Sequence, residues 1–496
     1  MVSRLEVFPD TDGLALLRRF LCTCMALGFL FFQQAWALDL DLDLDFGEDF
    51  LAPKSPFEFS GYLKNETAYR IDEPRSFTKI RNLFYGNEVV TLANWSKFTV
   101  NGWAYHDLVY DLFDYDTISA RYERDADQPL NFIENLPQEK DSDVAEIREI
   151  YLDFFSEYAD LRIGKQFVVW GVLTGVRVID EINPLDFREL IMPDLIDYRI
   201  PLWTVKLDLY NSWFNTQLLW IPELRFHKPA PQGSEWELLQ EVPGTKYPEN
   251  FTPENSEYGV QFEFEILSTE LTLNYFYTWD DFPVIFRDVR LNSSAEDDVV
   301  FRPRFTRMEM FGGSFRRTVF GQIFKGEASY VRGKYFGIGR VDRNRDGYID
   351  SQGVIQRDHV RYGLGLDFSL FGADISPGFT QTIVLEHDPA IIQPPVETAF
   401  NLFVRKSLAP RVLLEFLAIY LPNIRENYYK PKTVFLLTDK FSVAVGADIF
   451  SGSNSSSGII SVKGSTTNLK TVPQRSRFIG NFSDNDRIFV DFKYSF

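Results

Sequence analysis

Cysteine is nearly absent from this sequence of 496 residues. The only two cysteines, Cys22 and Cys24, lie near the amino terminus inside an apolar run of 13 residues, Phe20–Phe32. Arginines precede the run and the small-residue pattern Ala35-Trp36-Ala37 follows it, which is the layout of a secretory signal peptide. We therefore predict a signal peptide over residues 1–37. The rest of the chain must be stabilised by hydrogen bonds and packing, without disulfides.

Long hydrophobic runs and positive charge are also lacking. No segment after the predicted signal approaches 18 consecutive apolar residues, which excludes transmembrane helices. Asp and Glu outnumber Lys and Arg by 71 to 51, which gives a formal net charge of −20. Because a phosphate backbone requires a basic surface, we expect no nucleic acid among the partners.

Histidine is scarce as well, with four in the whole chain. The sequence contains no G-x-S-x-G motif, no H-E-x-x-H motif and no zinc-ligand spacing. His106-Asp107 and His387-Asp388 are sequence neighbours, and neighbours on a strand point to opposite faces, so they make poor catalytic pairs. We therefore expect a protein that is not an enzyme and that requires no cofactor.

Aromatic residues are abundant, at 16% of the chain, and they alternate with polar residues. Glu257 to Leu267 reads EYGVQFEFEIL, and Glu270 to Trp279 reads ELTLNYFYTW. Each run has one apolar face, one polar face and about ten residues, the length of a tilted transmembrane strand. A soluble sandwich, the alternative, uses strands of about five or six residues. The pattern predicts an all-β, antiparallel outer-membrane β-barrel.

The last ten residues, RIFVDFKYSF, alternate in the same way and end on Phe496. A final strand that ends on Phe resembles the signal that outer-membrane barrels present to the barrel-assembly machinery. In lipid every backbone polar group must be paired, so this strand has to close onto the first. The predicted location is the bacterial outer membrane, with its lipid and lipopolysaccharide as surroundings.

Short and long connections alternate along the chain, as periplasmic turns and extracellular loops do in bacterial barrels. Short turns are predicted near Ser96, Glu157, Asn211, Ser268, Arg317, Gly372, Ala409 and Lys440. Long polar connections are predicted over 113–142, 173–200, 223–256, 280–301, 338–357 and 452–485, with shorter ones near 73–78, 389–396 and 423–427. This count gives 18 strands, with 16 as the alternative. Residues 57–496 are assigned to the barrel, and the acidic residues 38–56 to a periplasmic tail.

One stretch resembles a known family. RIGKQFVVWG at 162–171 and INPLDFRELIMPD at 182–194 are followed by RIPLW, and the tight match covers residues 147–205. These motifs resemble a family of Gram-negative outer-membrane proteins known only as a domain of unknown function. The resemblance implies an association with RND-superfamily exporters and a periplasmic carrier-like protein, and a part in the export of hydrophobic compounds.

The polar stretch between the two motifs predicts a loop that folds into the lumen. Such loops often narrow the pore of a barrel, where their charges set selectivity. We expect Gly175–Ile200 to be this constriction, with its arginines paired to its acids; the alternative is an external loop held by the same pairs. The residues predicted to form the constriction or gate are Arg162, Gln166, Trp170, Arg177, Asp180, Glu181, Asp186, Arg188, Glu189, Asp194, Asp197 and Arg199.

A separate motif, DRNRDGYID at 342–350, matches the core of an EF-hand-like calcium loop. Position 12 of that loop is Gly353 where a bidentate Glu is usual, so another residue such as Asp358 has to supply the missing ligand. A turn without an ion is the alternative, because Asn, Asp and Gly favour turns. An ion here would order an external loop. The predicted ligands are Asp342, Asn344, Asp346, Tyr348 through its carbonyl, and Asp350.

Two functions fit these expectations. The first is an outer-membrane channel that passes or exports a small compound, hydrophobic by the family resemblance, with an RND-type exporter or periplasmic carrier as partner and the loop at 175–200 as gate. The second is a closed accessory barrel that serves as a docking platform for an envelope complex. A path beside the loop would favour the first, and a solid plug the second.

Overall fold

The computed structural model describes residues 55–114, 117–118, 142–231, 234–236, 244–290, 298–338, 352–452 and 479–496. The predicted signal peptide and nearly all of the acidic tail lie outside these residues, as does the predicted calcium motif at 342–350. Among the described residues, no helix is long and apolar enough to cross a membrane.

Within these described ranges, alternation of apolar and polar residues produces 20 strands, of which 18 form one antiparallel sheet. The first nine strands are β1 (Phe57–Arg70), β2 (Ser76–Ala93), β3 (Ser96–Asp107), β4 (Asp143–Phe155), β5 (Ala159–Gln166), β6 (Leu202–Tyr210), β7 (Asn215–Ile221), β8 (Glu257–Ile266) and β9 (Thr269–Trp279). A two-stranded hairpin follows, β10 (Val284–Arg290) and β11 (Asp298–Arg304).

Nine more strands complete the sheet. They are β12 (Arg307–Val319), β13 (Gln322–Gly337), β14 (Val354–Leu370), β15 (Ala373–Val384), β16 (Val396–Ala409), β17 (Val412–Leu421), β18 (Glu426–Leu436), β19 (Phe441–Ser451) and β20 (Arg487–Ser495). Each strand of the large sheet pairs with the next strand of that sheet in sequence. Because β9 pairs with β12, the hairpin β10–β11 is not part of the barrel wall. A short helix α1 (Val109–Leu112) and a 3₁₀ turn (Ile479–Phe482) complete the elements.

The last strand closes the sheet onto the first. β20 pairs with β1 from Arg487↔Arg70 to Ser495↔Tyr62. The pairing continues to the terminal residue, since Phe496 and Gly61 exchange backbone hydrogen bonds of 3.0 and 3.1 Å. Closure leaves the sheet without an edge, which is the condition for a sheet to span lipid. The fold is therefore the predicted transmembrane barrel of the outer-membrane type, with 18 strands; the alternative count of 16 is wrong.

The two faces of the sheet differ as the alternation predicts. On β1 and β20 the apolar side chains of Leu63, Ile488 and Phe492 are 52%, 51% and 43% exposed on the outside. Charged side chains of the same strands, such as Lys64 and Asp491, form an ion pair of 3.3 Å on the inside. An apolar exterior and a polar interior are the pattern of a barrel set in lipid.

Turn lengths also follow the prediction. At the eight predicted short turns the connections have two to four residues; they join β2–β3, β4–β5, β6–β7, β8–β9, β12–β13, β14–β15, β16–β17 and β18–β19. Most of the others are longer, and four of them have 35 residues each. The hairpin β10–β11 differs from the prediction, which has a long polar connection without strands over 280–301. VIFRDVR and DVVFRPR alternate over only seven residues each, too short to be recognised as barrel strands.

The connection that positions the candidate site joins β5 to β6. These strands are paired at Gln166↔Leu202, yet the chain between them is long enough to leave the wall and return. We call residues 167–201 the lumen loop. It contains the predicted constriction, Gly175–Ile200.

Candidate functional site: the lumen loop and its wall contacts

The lumen loop touches strands on widely separated parts of the wall. Its contacts include the Asn401 side chain of β16, which donates to the carbonyl of Thr174 at 2.9 Å, and Lys430 of β18, which donates to the carbonyl of Met192 at 2.5 Å. On the other side, Arg148 of β4 donates to the carbonyl of Arg199 at 2.8 Å. A loop that reaches β4, β16 and β18 together lies inside the barrel and crosses its lumen.

An apolar cluster anchors the first part of the loop to one side of the wall. Val178, Ile179 and Ile182 are at most 2% exposed. They pack with Trp170 and with side chains that point inward from β6, β7, β9, β12 and β13. The wall members are Leu202, Leu219, Ile221, Phe276, Met310 and Val331. Burial of such side chains contributes roughly 1.5–3 kcal/mol each, so this side of the lumen is tightly filled.

Glycines on the wall make room for the loop. A Cβ at Gly312 of β12 would lie 2.9 Å from a methyl carbon of Ile179. A Cβ at Gly363 of β14 would lie 2.6 Å from Leu173 and 2.9 Å from Thr380. Both distances are shorter than carbon atoms tolerate, so a side chain at either position would displace the loop side chain that it meets.

Glu327 of β13 holds the backbone of the loop. Its Oε1 accepts hydrogen bonds from the N–H groups of Val172 and Leu173 at 2.5 and 2.7 Å, and its Oε2 accepts from Ile179 at 3.1 Å. These N–H groups have no strand to pair with at this point. A buried N–H without a partner is costly, so a single carboxylate on the wall stabilises an irregular segment of the loop.

Ion pairs within the loop tie its middle to its carboxyl-terminal end. Asp180 pairs with Arg199, with side chains 3% and 4% exposed, and Arg177 lies 3.6 Å from the same carboxylate. Arg188 pairs with Asp186 at 2.5 Å and donates to the hydroxyl of Tyr105 on β3 at 3.2 Å. The three loop arginines therefore do lie against loop acids.

Two other loop acids pair with cations of the wall. Glu181 pairs with Arg361 of β14, and Glu189 pairs with both Lys79 and Arg81 of β2. Burial alone would raise the pKa of Glu181, but Arg361 and Arg177 hold this pKa at about 2. In the same way burial is outweighed at Glu189, whose pKa lies well below its ordinary range because of Arg81 and Lys79. Both carboxylates are therefore ionised at neutral pH.

Three further predicted site residues lie in the wall or at the base of the loop. Arg162, on β5, pairs with Asp153 of β4 at 2.6 Å and is part of the wall. Gln166 donates to the carbonyl of Thr204 at 2.9 Å, and the Trp170 Nε1–H donates to Gln217 at 2.7 Å. Gln166 and Trp170 are buried at the base of the loop. Their role as a constriction or gate stays a prediction.

Asp194 and Asp197 line a cavity that lies between the loop and the opposite side of the wall. The cavity has a volume of about 170 Å³ and is bounded by side chains of β1–β3 and β18–β20. The carbonyl of Asp197 accepts a hydrogen bond from Arg148 at 3.0 Å. Burial and the neighbouring Asp194 raise the pKa of the Asp197 carboxyl. The apolar cluster and this cavity thus occupy opposite parts of the lumen.

His227 lies in the connection between β7 and β8 and packs against the lumen loop. Its Nδ1 accepts a hydrogen bond from the N–H of Leu185 at 2.8 Å, and its ring lies edge-on to Phe187 and Phe282. Burial, together with Arg177, lowers the pKa of His227 to about 3. The ring is therefore neutral at physiological pH, as the hydrogen bond to its Nδ1 requires.

The predicted calcium ligands lie outside the described residues, so the calcium loop stays a prediction. Asp358, the candidate for its missing ligand, lies on β14 and already accepts hydrogen bonds from the Tyr330 hydroxyl and from the N–H of Gly333. Within the described part of the chain, no group of three or more His, Cys, Asp or Glu residues is arranged to hold a metal ion.

The wall residues that hold the loop are not among the predicted site residues. Lys79, Arg81, Arg148, Glu327 and Arg361 all point inward from barrel strands. Their inward direction is readable from the alternation, as in Lys79-Ile80-Arg81. Their loop partners are not, because partners such as Lys79 and Glu189 are 110 residues apart in sequence and meet only when the barrel closes.

Several solved structures are similar to this chain. Acinetobacter baumannii OccAB2 has 12% identity and a TM-score of 0.45, and the match covers 89% of this chain and 98% of that one. Pseudomonas aeruginosa OccK2 (OpdF), solved in complex with glucuronate, has 10% identity and a TM-score of 0.46 over 88% and 97% of the two chains. The outer-membrane protein OmpT of Vibrio cholerae has 10% identity and a TM-score of 0.39 over 89% and 99%. At this level of similarity, neither loop positions nor ligands transfer to this chain.

No curated protein matches the chain. A family model described as "Protein of unknown function (DUF1302)" matches residues 88–219 and 240–386, which together exceed half of the sequence. The first of these segments contains β3 to β6 and the whole lumen loop. The chain therefore belongs to the DUF1302 family of proteins of unknown function.

Proposed function

We propose that this outer-membrane barrel is a channel for small molecules and that the lumen loop is its gate. The observation that carries the proposal is the division of the lumen. One part is filled by the apolar cluster around Ile179, and the other holds a polar cavity of about 170 Å³ beside the loop. The loop packs against the wall on both sides, but at Glu189 it is held to β2 by charge pairs, and there it can detach.

The nature of the contacts supports a gate. On the cavity side the loop is held by Glu189 with Lys79 and Arg81, by a hydrogen bond from Lys430, and by the packing of Leu190 and Met192 against Tyr428 and Phe450. Charge pairs exchange more readily with water and with solutes than packed apolar side chains do. In keeping with the family resemblance, we further propose that the cargo is a small compound with a hydrophobic part, exported with an RND-type exporter or a periplasmic carrier.

A second candidate is a closed accessory barrel that docks an envelope complex. It is favoured by the number of wall strands that hold the loop, which include β2, β4, β13, β14, β16 and β18. A loop fixed at every one of these points would be a permanent plug. The two candidates differ in whether the loop ever leaves the lumen.

Single-channel conductance in planar bilayers separates them. The refolded chain is compared with a variant that lacks Gly175–Ile200; the ends of β5 and β6 pair directly, so the remaining residues can bridge them. We expect the intact barrel to open briefly and rarely, and the deletion variant to conduct steadily. If both proteins are silent, the channel function is wrong and the accessory candidate stands. If both conduct alike, the loop is not a gate.

A cross-linked variant provides the matched control. The chain after residue 37 has no cysteine, so Glu181→Cys with Arg361→Cys gives one defined pair of thiols between the loop and β14. A short bis-maleimide cross-link at this pair should abolish the brief openings of the full-length barrel. Unchanged openings after cross-linking would show that the loop does not control conduction.

A further inference from the structure

Glu189 occupies a site built to hold a carboxylate. Its side chain comes from the lumen loop and meets the ammonium group of Lys79 and the guanidinium of Arg81, two residues apart on β2. The three side chains are only 13%, 10% and 14% exposed. Hydrogen bonds between charged partners are stronger than neutral ones. The two cations therefore form a well-defined binding site for one carboxylate, and the loop supplies that carboxylate itself.

The cavity described above lies directly beside this pair of cations. Lys79, Arg81 and Glu189 all line it, and so do apolar and aromatic side chains. The latter are Tyr62, Leu83, Trp103, Tyr105, Met192 and Trp236. A volume of about 170 Å³ exceeds that of several water molecules, each of which takes about 30 Å³. The cavity thus offers an apolar wall next to a carboxylate site.

Further hydrogen-bond donors around the cavity have no acceptor within hydrogen-bonding distance among the described residues. Arg81 Nε, Trp103 Nε1 and Arg487 Nη1 are buried and donate to no described residue, and all three residues line the cavity. Arg487 is 5% exposed, and its Nε is already engaged by Asp448 at 2.7 Å. Buried donors normally find partners, so this group of donors points to an anion that binds here.

The acids of the lining limit the charge of that anion. Glu66 lies 3.8 Å from Lys79 and 3.6 Å from Arg81, and Asp107 lies 3.6 Å from Arg81. They already neutralise much of the positive charge and would repel a second negative charge. A group with one charge and two oxygens, as in Glu189 itself, fits better than a dianionic phosphate.

We propose that the cavity binds a small organic carboxylate with an apolar body, whose carboxylate replaces that of Glu189 at Lys79 and Arg81. Glu189 is then the internal stand-in for the ligand, and its displacement frees the loop from β2. The inference rests on the proposed channel function and names the substrate class of the same site. The displacement of Glu189 leaves the contacts of the apolar cluster around Ile179 unchanged, so the loop stays anchored there.

Binding can be measured without any conduction. The full-length protein in detergent is titrated with 3-phenylpropanoate, and with 3-phenylpropanamide as the neutral match, while tryptophan fluorescence is followed. Trp103 and Trp236 line the cavity and serve as reporters. We expect saturable binding of the carboxylate and none of the amide. Inorganic phosphate should bind at least tenfold more weakly than the carboxylate.

Three variants test the assignment of residues. Arg81→Gln should weaken carboxylate binding about tenfold to a hundredfold, because a charge-assisted hydrogen bond is lost. Glu189→Gln should strengthen it about tenfold, because the competing carboxylate is gone. Glu270→Gln is the matched control: it also removes a carboxylate from an ion pair, with Arg316, but this pair touches neither the loop nor the cavity lining, and binding should be unchanged.

Other results would overturn the inference. Equal binding of the carboxylate and the amide, or no loss of binding in Arg81→Gln and in a second variant, Lys79→Gln, would remove the carboxylate site. Weaker binding in Glu189→Gln would make Glu189 part of the site and not its stand-in. If binding behaves as expected and the loop-deletion variant is silent in bilayers, the channel function fails and the binding site remains. If the deletion variant conducts and the carboxylate does not bind, only the inference fails.

Discussion

Asp180 and Arg199, 19 residues apart, form a buried ion pair that ties the middle of the lumen loop to its carboxyl-terminal end. Both side chains are at most 4% exposed, and Asp180 also faces Arg177. The pair closes residues 180–199 into a ring, so we expect its removal to loosen this part of the loop.

We expect Asp180→Ala to destabilise the closed loop by about 3–5 kcal/mol, because Arg199 would be left as a buried charge without its partner. Hydrogen exchange of the Ile179 and Ile182 amides measures this opening. Glu73→Ala is the control, since Glu73 and Arg75 form a pair whose side chains are 77% and 62% exposed and such pairs contribute little. Equal protection in both variants would contradict the assignment.

Glu327→Ala should loosen the base of the loop, because three backbone N–H groups lose their acceptor at once. The expected cost is at least about 1–3 kcal/mol, the penalty of one buried donor left unsatisfied. Faster hydrogen exchange at Val172, Leu173 and Ile179 is the measurement. Glu327→Gln, which keeps one acceptor oxygen of nearly the same shape, should show a smaller change.

Gly363→Leu should push the loop away from β14, since a Cβ there already lies 2.6 Å from Leu173. We expect more frequent channel openings and faster proteolysis of the loop, with the barrel still intact in detergent. Gly337→Leu on β13 is the matched control, because its Cβ would meet only a methyl group of Ile392 at 3.7 Å. A closed, protected loop in Gly363→Leu would show that the loop does not need this space.

Acid should loosen the loop through His227. Its pKa is lowered to about 3 in the folded chain, against 6.5 when exposed, so the unfolded segment binds a proton more readily. The stability that the neutral ring contributes is complete above pH 6.5 and is lost progressively as the pH falls towards 3. At pH 4.5 the loss is about 2–3 kcal/mol.

The measurement is protease sensitivity of the loop between pH 7.5 and 4.5. Glu181, with a pKa of about 2 against 4.5, loses its contribution only between pH 4.5 and 2, below this window. Asp281 lies 3.8 Å from His227 and Lys334 lies nearby, so both belong to the same electrostatic environment. His227→Gln keeps an acceptor for the Leu185 N–H without titrating and should flatten the profile; an unchanged profile would exclude His227.

Calcium should protect the connection between β13 and β14 if the motif at 342–350 binds the ion. We expect slower proteolysis of this connection in millimolar calcium, the affinity range of weak extracellular sites. Asp346→Ala should abolish the protection, and magnesium should not replace calcium. Protection that survives the substitution would leave the motif as an ordinary turn.

The wall of this barrel could be predicted from sequence because its rule is local. An alternating stretch such as Glu257 to Ile266 indicates which side chains face lipid. A two-residue turn such as Leu267-Ser268 indicates where the strand ends. Applied along the whole chain, these local rules predict the number of strands. They also predict that the turns at one end of the barrel are short and the loops at the other end long.

The contacts of the loop could not be predicted in this way. That Glu181 meets Arg361 and Glu189 meets Arg81 depends on the circumference of the closed barrel and on which wall positions are glycine. Sequence separations of 180 and 108 residues carry no periodic signal. The charges of the loop indicated a site, but only the closed barrel determines which wall cations its acids reach.

The hydrogen bonds between Gly61 and Phe496 make the two ends of the barrel sequence immediate neighbours in the wall. A cylinder of 18 strands then has no physical beginning, and its strand pairing is the same wherever the chain is opened. A circularly permuted chain, with residues 57 and 496 joined by a short linker and new ends at the Phe320-Gly321 turn, should build the same cylinder around the same loop.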